Sequence, residues 1–75
     1  MMTKEQADTI MAYARNNMEA KAAGDELFMT DMTVHYRLKQ IHYQTGKNPK
    51  KFFDLCFLVG MAQQVLGGGE NGNCD

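Results

Sequence analysis

The 75-residue chain has no tryptophan, one proline, two cysteines and a net charge of only −1. Each scarcity narrows its function. Without a basic excess, no global field draws the chain to nucleic acid; any such attraction must come from how the charges are distributed. Cys56 and Cys74 share no CxxC spacing, so they form no disulfide framework, and reduced thiols in a cytosol are expected. His35 and His42 have no cysteine or carboxylate at ligand spacing, so no metal site is expected. The most apolar stretch, residues 52–62, is interrupted by Asp54 and falls short of the roughly 20 residues a membrane span needs. The N-terminus lacks the apolar region of a signal peptide, so the expected location is the cytoplasm. Nor is there a nucleophile–base pair, a carboxylate pair or a phosphate loop: Gly67-Gly68-Gly69 follows a helical stretch instead of opening one. An enzyme, a cofactor and a small-molecule ligand are therefore not expected.

What remains is a helical protein. A chain this short buries only about 60% of its unfolded surface, so its core is thin and association is expected. Seven methionines supply pliable filler for cores and interfaces. Charge is polarised along the chain. Residues 1–30 carry Lys4, Arg15 and Lys21 against Glu5, Asp8, Glu19, Asp25 and Glu26. Residues 31–53 carry Arg37, Lys39, Lys47, Lys50 and Lys51 against Asp31 alone, five basic to one acidic, a local charge of +4.

Local signals predict an all-α, four-helix domain over residues 1–66, followed by a disordered tail, 67–75, with no apolar anchor. Thr3 as N-cap with Gln6 in the capping-box position starts a first helix, about 3–17. Ala7, Ile10, Met11, Ala14 and Met18 form its buried stripe, and Asn16-Asn17 tolerate the left-handed conformation that stops it. A short second helix covers about 19–27. Gly24 sits within it at about 1 kcal/mol less helix propensity than alanine, which points to a close approach by another helix. Thr30 caps a third helix, about 31–45, with Asp31 at the positive end of its dipole. Val34, Leu38 and Ile41 form its inward stripe, and Gly46 is its C-terminal cap. Pro49 suits the first position of a fourth helix, about 49–66.

The second and third helices are separated by very few residues. Gly24, Leu27, a tight corner at Phe28-Met29, the Thr30 cap, Thr33-Val34, then Leu38 and Ile41 follow the spacing a helix-turn-helix requires: a small residue permits a close crossing, Leu27 and Val34 fill the corner, and Leu38 and Ile41 hold the third helix to the body. The run "AKAAGDELFMTDMTVHYRLKQIHYQTGKNPKKFFDLCFLVGMA" resembles the C-terminal helix-turn-helix domain of PucR/CdaR-type bacterial transcription regulators. Leu27-Phe28, Thr33, Tyr36-Arg37-Leu38, Ile41, Thr45-Gly46 and Phe53-Asp54-Leu55 match that pattern, and the likeness spans roughly residues 8–66. It is similar, too, to short stand-alone versions of the domain in bacterial genomes and prophages. The resemblance implies DNA binding and transcription regulation. Where the family carries His-Arg-Asn at the start of the reading helix, this chain has Thr30-Asp31-Met32, which removes the side chains best suited to bidentate base contacts.

With Val34, Leu38 and Ile41 inward, about 100° per residue turns Met32, Tyr36, Lys39 and Tyr43 outward, flanked by His35 and Gln40. The expected contacts with double-stranded DNA are Thr30, Asp31, Met32, Thr33, His35, Tyr36, Arg37, Lys39 and Gln40, with Lys47, Lys50 and Lys51 meeting phosphates just beyond the helix. Tyr36 and Tyr43 equally suit packing against a partner chain, and the lysines an ordinary solvated face. The fourth helix is apolar nearly all round, which fits either a central core helix or a homodimer interface through Phe53, Phe57, Leu58, Met61 and Val65. Cys56, within that run, is expected to be a small core hydrophobe. A sequence-specific DNA-binding regulator is the leading expectation. A protein-interaction module on the same scaffold, without DNA reading, is the alternative.

Overall fold

A computed structural model describes residues 2–67, which form four helices: α1 (Lys4–Arg15), α2 (Ala20–Leu27), α3 (Asp31–Thr45) and α4 (Phe52–Gly67). Cys74 and the rest of 68–75, with the tail expected there, lie outside the described residues.

Each early boundary has a local chemical cause. The Thr3 hydroxyl accepts from the Gln6 N–H at 3.1 Å while the Gln6 side chain accepts from the Thr3 N–H at 3.0 Å, a complete capping box. After Arg15 the chain leaves the helix through Asn17 and Met18, both left-handed at φ 57° and 65°. Thr30 caps α3 by accepting from the Thr33 N–H at 3.2 Å, and Gly46 closes it at φ 76°.

α4 begins three residues later than Pro49 predicts. The Asn48 carbonyl accepts from the Lys51 N–H at 2.9 Å, and the Asn48 side chain accepts from the Lys50 N–H at 3.0 Å. Pro49 therefore sits inside a tight turn, where its fixed φ is equally suitable, and is itself buried. The first helical bond runs from Leu55 N–H to the Lys51 carbonyl at 2.8 Å, and Asp54 reaches back to accept from Asn48 N–H at 3.0 Å. At its other end α4 takes in Gly67, one residue beyond the expected limit.

α1 is the hub. It packs on α2, α3 and α4, while α4 rests on α1 alone among the helices. Its buried face is accordingly wider than one stripe: Thr9, Ala12 and Tyr13 are buried beside Ala7 and Ile10, with Met11, Ala14 and Met18 packed at the margin. The Thr9 hydroxyl is satisfied by donating to the Glu5 carbonyl at 2.9 Å. Burial of the Tyr13 phenol pushes its pKa up. Ile10, Val34, Leu38, Ile41 and Leu58 form the dense centre, each worth about 1.5–3 kcal/mol of transfer free energy when fully buried.

Two expectations for α4 are corrected here. Leu58 is fully buried in the chain's own core and is not available to a partner, whereas Cys56 is exposed instead of buried. α4 is also not the central helix. Phe53 is 84% exposed and Phe57 48%, with Phe52 and Leu66 also open; Met61 and Val65 are half-buried and packed against the core.

Candidate nucleic-acid interface

The corner between α2 and α3 is built by a paired hydrogen-bond motif. The Met29 N–H donates to the Gly24 carbonyl at 2.9 Å and the Phe28 N–H to the Asp25 carbonyl at 3.4 Å. That arrangement needs a left-handed residue between them, and Phe28 supplies it at φ 60°, a conformation usually given to glycine. Gly24 is required for a reason slightly different from the one expected. A Cβ there would stand 2.5 Å from the Met29 carbonyl oxygen, so it is the turn backbone, not a second helix, that comes close. α2 is further tied to α1 by Glu26, which pairs with the Arg15 guanidinium and accepts from the Asn16 side chain at 2.8 Å. Those hydrogen bonds, Arg15's first, hold the Glu26 carboxyl below its usual range.

This corner sets α3 with Val34, Leu38 and Ile41 inward and Met32, His35, Tyr36, Lys39, Gln40 and Tyr43 outward, as the periodicity predicts. Gln40 donates to the Tyr36 hydroxyl at 3.2 Å, a small polar ridge along the outer face. Asp31 and Met32 are exposed at the start of the helix. The hydroxyls of Thr30 and Thr33 lie 3.0 Å apart and are engaged in the cap, so their first task is to start α3. Arg37 is half-buried at the flank.

The lysines divide. Lys50 lies beside α3, lining with His35, Tyr36, Lys39 and His42 a groove of 520 Å³ between the helix and the Asn48–Lys50 turn. Lys47 turns the other way, its ammonium 4.8 Å from the centre of the Phe57 ring on the α4 side. Lys51 is exposed at the start of α4. His42 was not among the expected contacts, although its seven-residue interval from His35 places both on one helical face. Phe28, 96% exposed, stands at the corner the spacing predicts, but no glycine marks its left-handed position.

A corner closed by Gly24 and Met29, followed by a capped helix with a polar outer face, is the helix-turn-helix arrangement. The PucR C-terminal helix-turn-helix domain matches residues 6–62. The chain belongs to that family. Membership carries a role in DNA-binding regulation, and the matched PucR domain takes in most of α1, all of α2 and α3, and most of α4. No curated protein and no solved structure matches the chain. Among the described residues, no helix is long and apolar enough to cross a membrane, and no three His, Cys, Asp or Glu side chains are placed to hold a metal ion.

Proposed function

We propose that the chain is a sequence-specific DNA-binding protein acting as a small transcriptional regulator in the cytoplasm, without catalytic activity. The observation that carries this reading is the outer face of α3, where Tyr36, Lys39 and Gln40 stand exposed on a helix held by a helix-turn-helix corner. In this mechanism α3 enters the major groove. Met32 meets a thymine methyl, Asp31 accepts from a cytosine amino group, and Tyr36, Lys39 and Gln40 take backbone or base edges. Arg37, Lys50 and Lys51 contribute phosphate contacts that position the helix without specifying sequence.

The second element of the proposal is a homodimer through the outer face of α4. Phe53 and Phe57, with the Phe52 ring edge-on to Phe53, leave an apolar surface that α1 does not cover. A two-fold pair would present two reading helices to two half-sites.

Binding of duplex DNA across a salt series tests the first element. Micromolar, salt-sensitive binding is expected, with few counterions released. Negligible binding at about 50 mM salt would sink it. The same α4 surface, with Asp31 at the head of α3, favours one other reading: a protein-interaction module that reads no DNA. The double substitution Lys39→Glu and Lys50→Glu separates the two. It abolishes DNA binding under the first and leaves complex formation intact under the second.

A further inference from the structure

Gly24 and Gly46 are each required by the backbone, Gly24 by the Met29 carbonyl and Gly46 by its φ of 76°. Gly60 is required by neither. It lies inside α4 without a positive φ, and a Cβ there would meet nothing within 4 Å. Glycine is a poor helix former, so the chain's own packing does not account for one in the middle of this helix. Its place on the helix surface does. At about 100° per residue, with Leu55, Leu58 and Ala62 inward, Gly60 and Phe53 stand opposite the core, flanked by Cys56, Phe57 and Gln64.

This outer face is uneven along its length. Before Gly60 it is bulky: Phe53 and Phe57 are exposed, and the Phe52 ring lies edge-on to Phe53 at 5.5 Å. From Gly60 onward it is flat, carrying Gln63, Gln64 and Gly67 and no aromatic ring. An antiparallel copy of α4 crossing at Gly60 fits bulk to flat: Phe53 meets Gly67 of the second copy, Phe57 meets Gln64 and Cys56 meets Gln63. A parallel copy would set Phe53 on Phe53 and Phe57 on Phe57, propping the glycines apart. Charge favours the same direction. Lys47, Lys50 and Lys51 precede the face, no charged residue lies between Asp54 and Gly67, and Glu70 and Asp75 follow in the sequence. Antiparallel pairing brings the basic start of each α4 to the negative dipole end of the other, whereas parallel pairing sets lysines against lysines. At their exposures the three rings offer roughly 300–500 Å² per copy, so a pair supplies at least half of the about 1,200 Å² at which specific interfaces begin.

We propose that two copies of the chain pair through α4 in antiparallel register, crossing at Gly60, with the aromatic half of each helix seated on the glycine-glutamine half of the other. The proposal rests on the homodimer reading and adds to it the register and the contact residues Cys56, Gly60, Gln63 and Gln64. Gly60 acts by what it lacks: without a Cβ, the two backbones approach closely enough for the flanking rings to reach the opposite helix. The same register keeps the two Cys56 thiols apart. Each lies four residues from the crossing, so their levels differ by about 12 Å along the helices, beyond the about 7 Å between Cα atoms that a disulfide spans. Cys56 instead comes level, to within about 1.5 Å, with Gln63 of the second copy.

Sedimentation of the full chain under reducing conditions, from about 1 to about 100 μM, compares the parent with Gly60→Leu. The parent should be a dimer at the upper end, and Gly60→Leu should raise the dissociation constant about tenfold or more. Nothing in the fold meets a side chain at this position and leucine is the better helix former, so the variant should keep the parental circular dichroism and, when dilute, melt no lower. Cross-linking by oxidised glutathione reads the register. With Cys74→Ser in place throughout, Gln63→Cys should give a rapid disulfide-linked dimer through Cys56, and the chain with Cys56 as its sole thiol should not. No cross-link in Gln63→Cys, a cross-link in the sole-thiol chain, or a Gly60→Leu dimer as tight as the parent's each overturns this proposal and leaves the homodimer reading standing. A parent that stays monomeric throughout the range overturns both.

Discussion

The Met29 N–H donates to the Gly24 carbonyl at 2.9 Å, and the Met29 carbonyl folds back to within 2.5 Å of where a Cβ on Gly24 would stand. One residue thus anchors the α2–α3 corner and forbids a side chain on its partner. Gly24→Ala should destabilise the fold, although alanine is the better helix former by about 1 kcal/mol. The obstacle is backbone and cannot rotate aside, so a net loss of about 1–3 kcal/mol is expected. A urea melt checks this through its midpoint; a raised midpoint would contradict the close approach.

Phe28 should behave in the opposite sense. It is left-handed at φ 60° and 96% exposed, so glycine there relieves strain without removing packing. Phe28→Gly should raise stability by about 0.5–1 kcal/mol, seen as a melting temperature higher by several degrees in a domain of this size. A lowered melting temperature would mean the ring makes a contact that its exposure hides.

The two faces of α4 should respond differently to truncation. Leu58→Ala removes a fully buried side chain and should cost about 2–5 kcal/mol. Phe53→Ala, on a side chain 84% exposed, should change the stability of the isolated chain by less than about 0.5 kcal/mol. Sedimentation of Phe57→Glu then tests the proposed dimer: a folded protein of half the parental mass is expected, and an unchanged mass would exclude that face as the interface.

Acid should weaken the α1–α2 tie. The Glu26 carboxyl is held below its usual range by its hydrogen bonds to Arg15 and Asn16. A carboxyl depressed in the folded state stabilises it above the unfolded pKa, and that stability is lost as pH falls through the folded value. The parent should therefore exceed Glu26→Gln in urea midpoint near pH 7, and the gap should close toward about pH 3. A gap that stays constant with pH would show that the ion pair is not its source.

The cap of α3 offers a local check. Thr30→Ala removes the acceptor for the Thr33 N–H and should cost about 1 kcal/mol. Thr30→Asp, which restores an acceptor at the positive end of the helix, should recover most of it.

Much of this architecture is legible in the sequence because its signals are local. Thr3 with Gln6, Thr30 and Gly46 each satisfy a helix terminus through their own side chain or backbone freedom, and each stands where the structure uses it. Val34, Leu38 and Ile41 show a clear phase because, Met32 apart, the other positions of α3 carry polar side chains or tyrosine. α4 has no such contrast. Apolar residues occupy nearly every turn, so nothing in the pattern distinguishes Leu58, which faces α1, from Cys56, which faces out. Pro49 misleads because proline suits a turn and a helix start equally, and the bonds from Asn48 decide between them. At the candidate interface, the helical face is readable but the direction of each lysine is not. Lys47 and Lys50 are three residues apart, and only the turn between them sends one to Phe57 and the other to the groove.

That α4 touches only α1 among the helices has a consequence for how such a chain diverges. Under the proposed function, substitutions on the open side of α4 would alter the pairing surface while leaving the α2–α3 corner unstrained. On the same reading, substitutions at Met32, Tyr36 or Lys39 would retune what is read without disturbing that surface. The two surfaces share a scaffold but not a set of constraints, so each is free to change without the other.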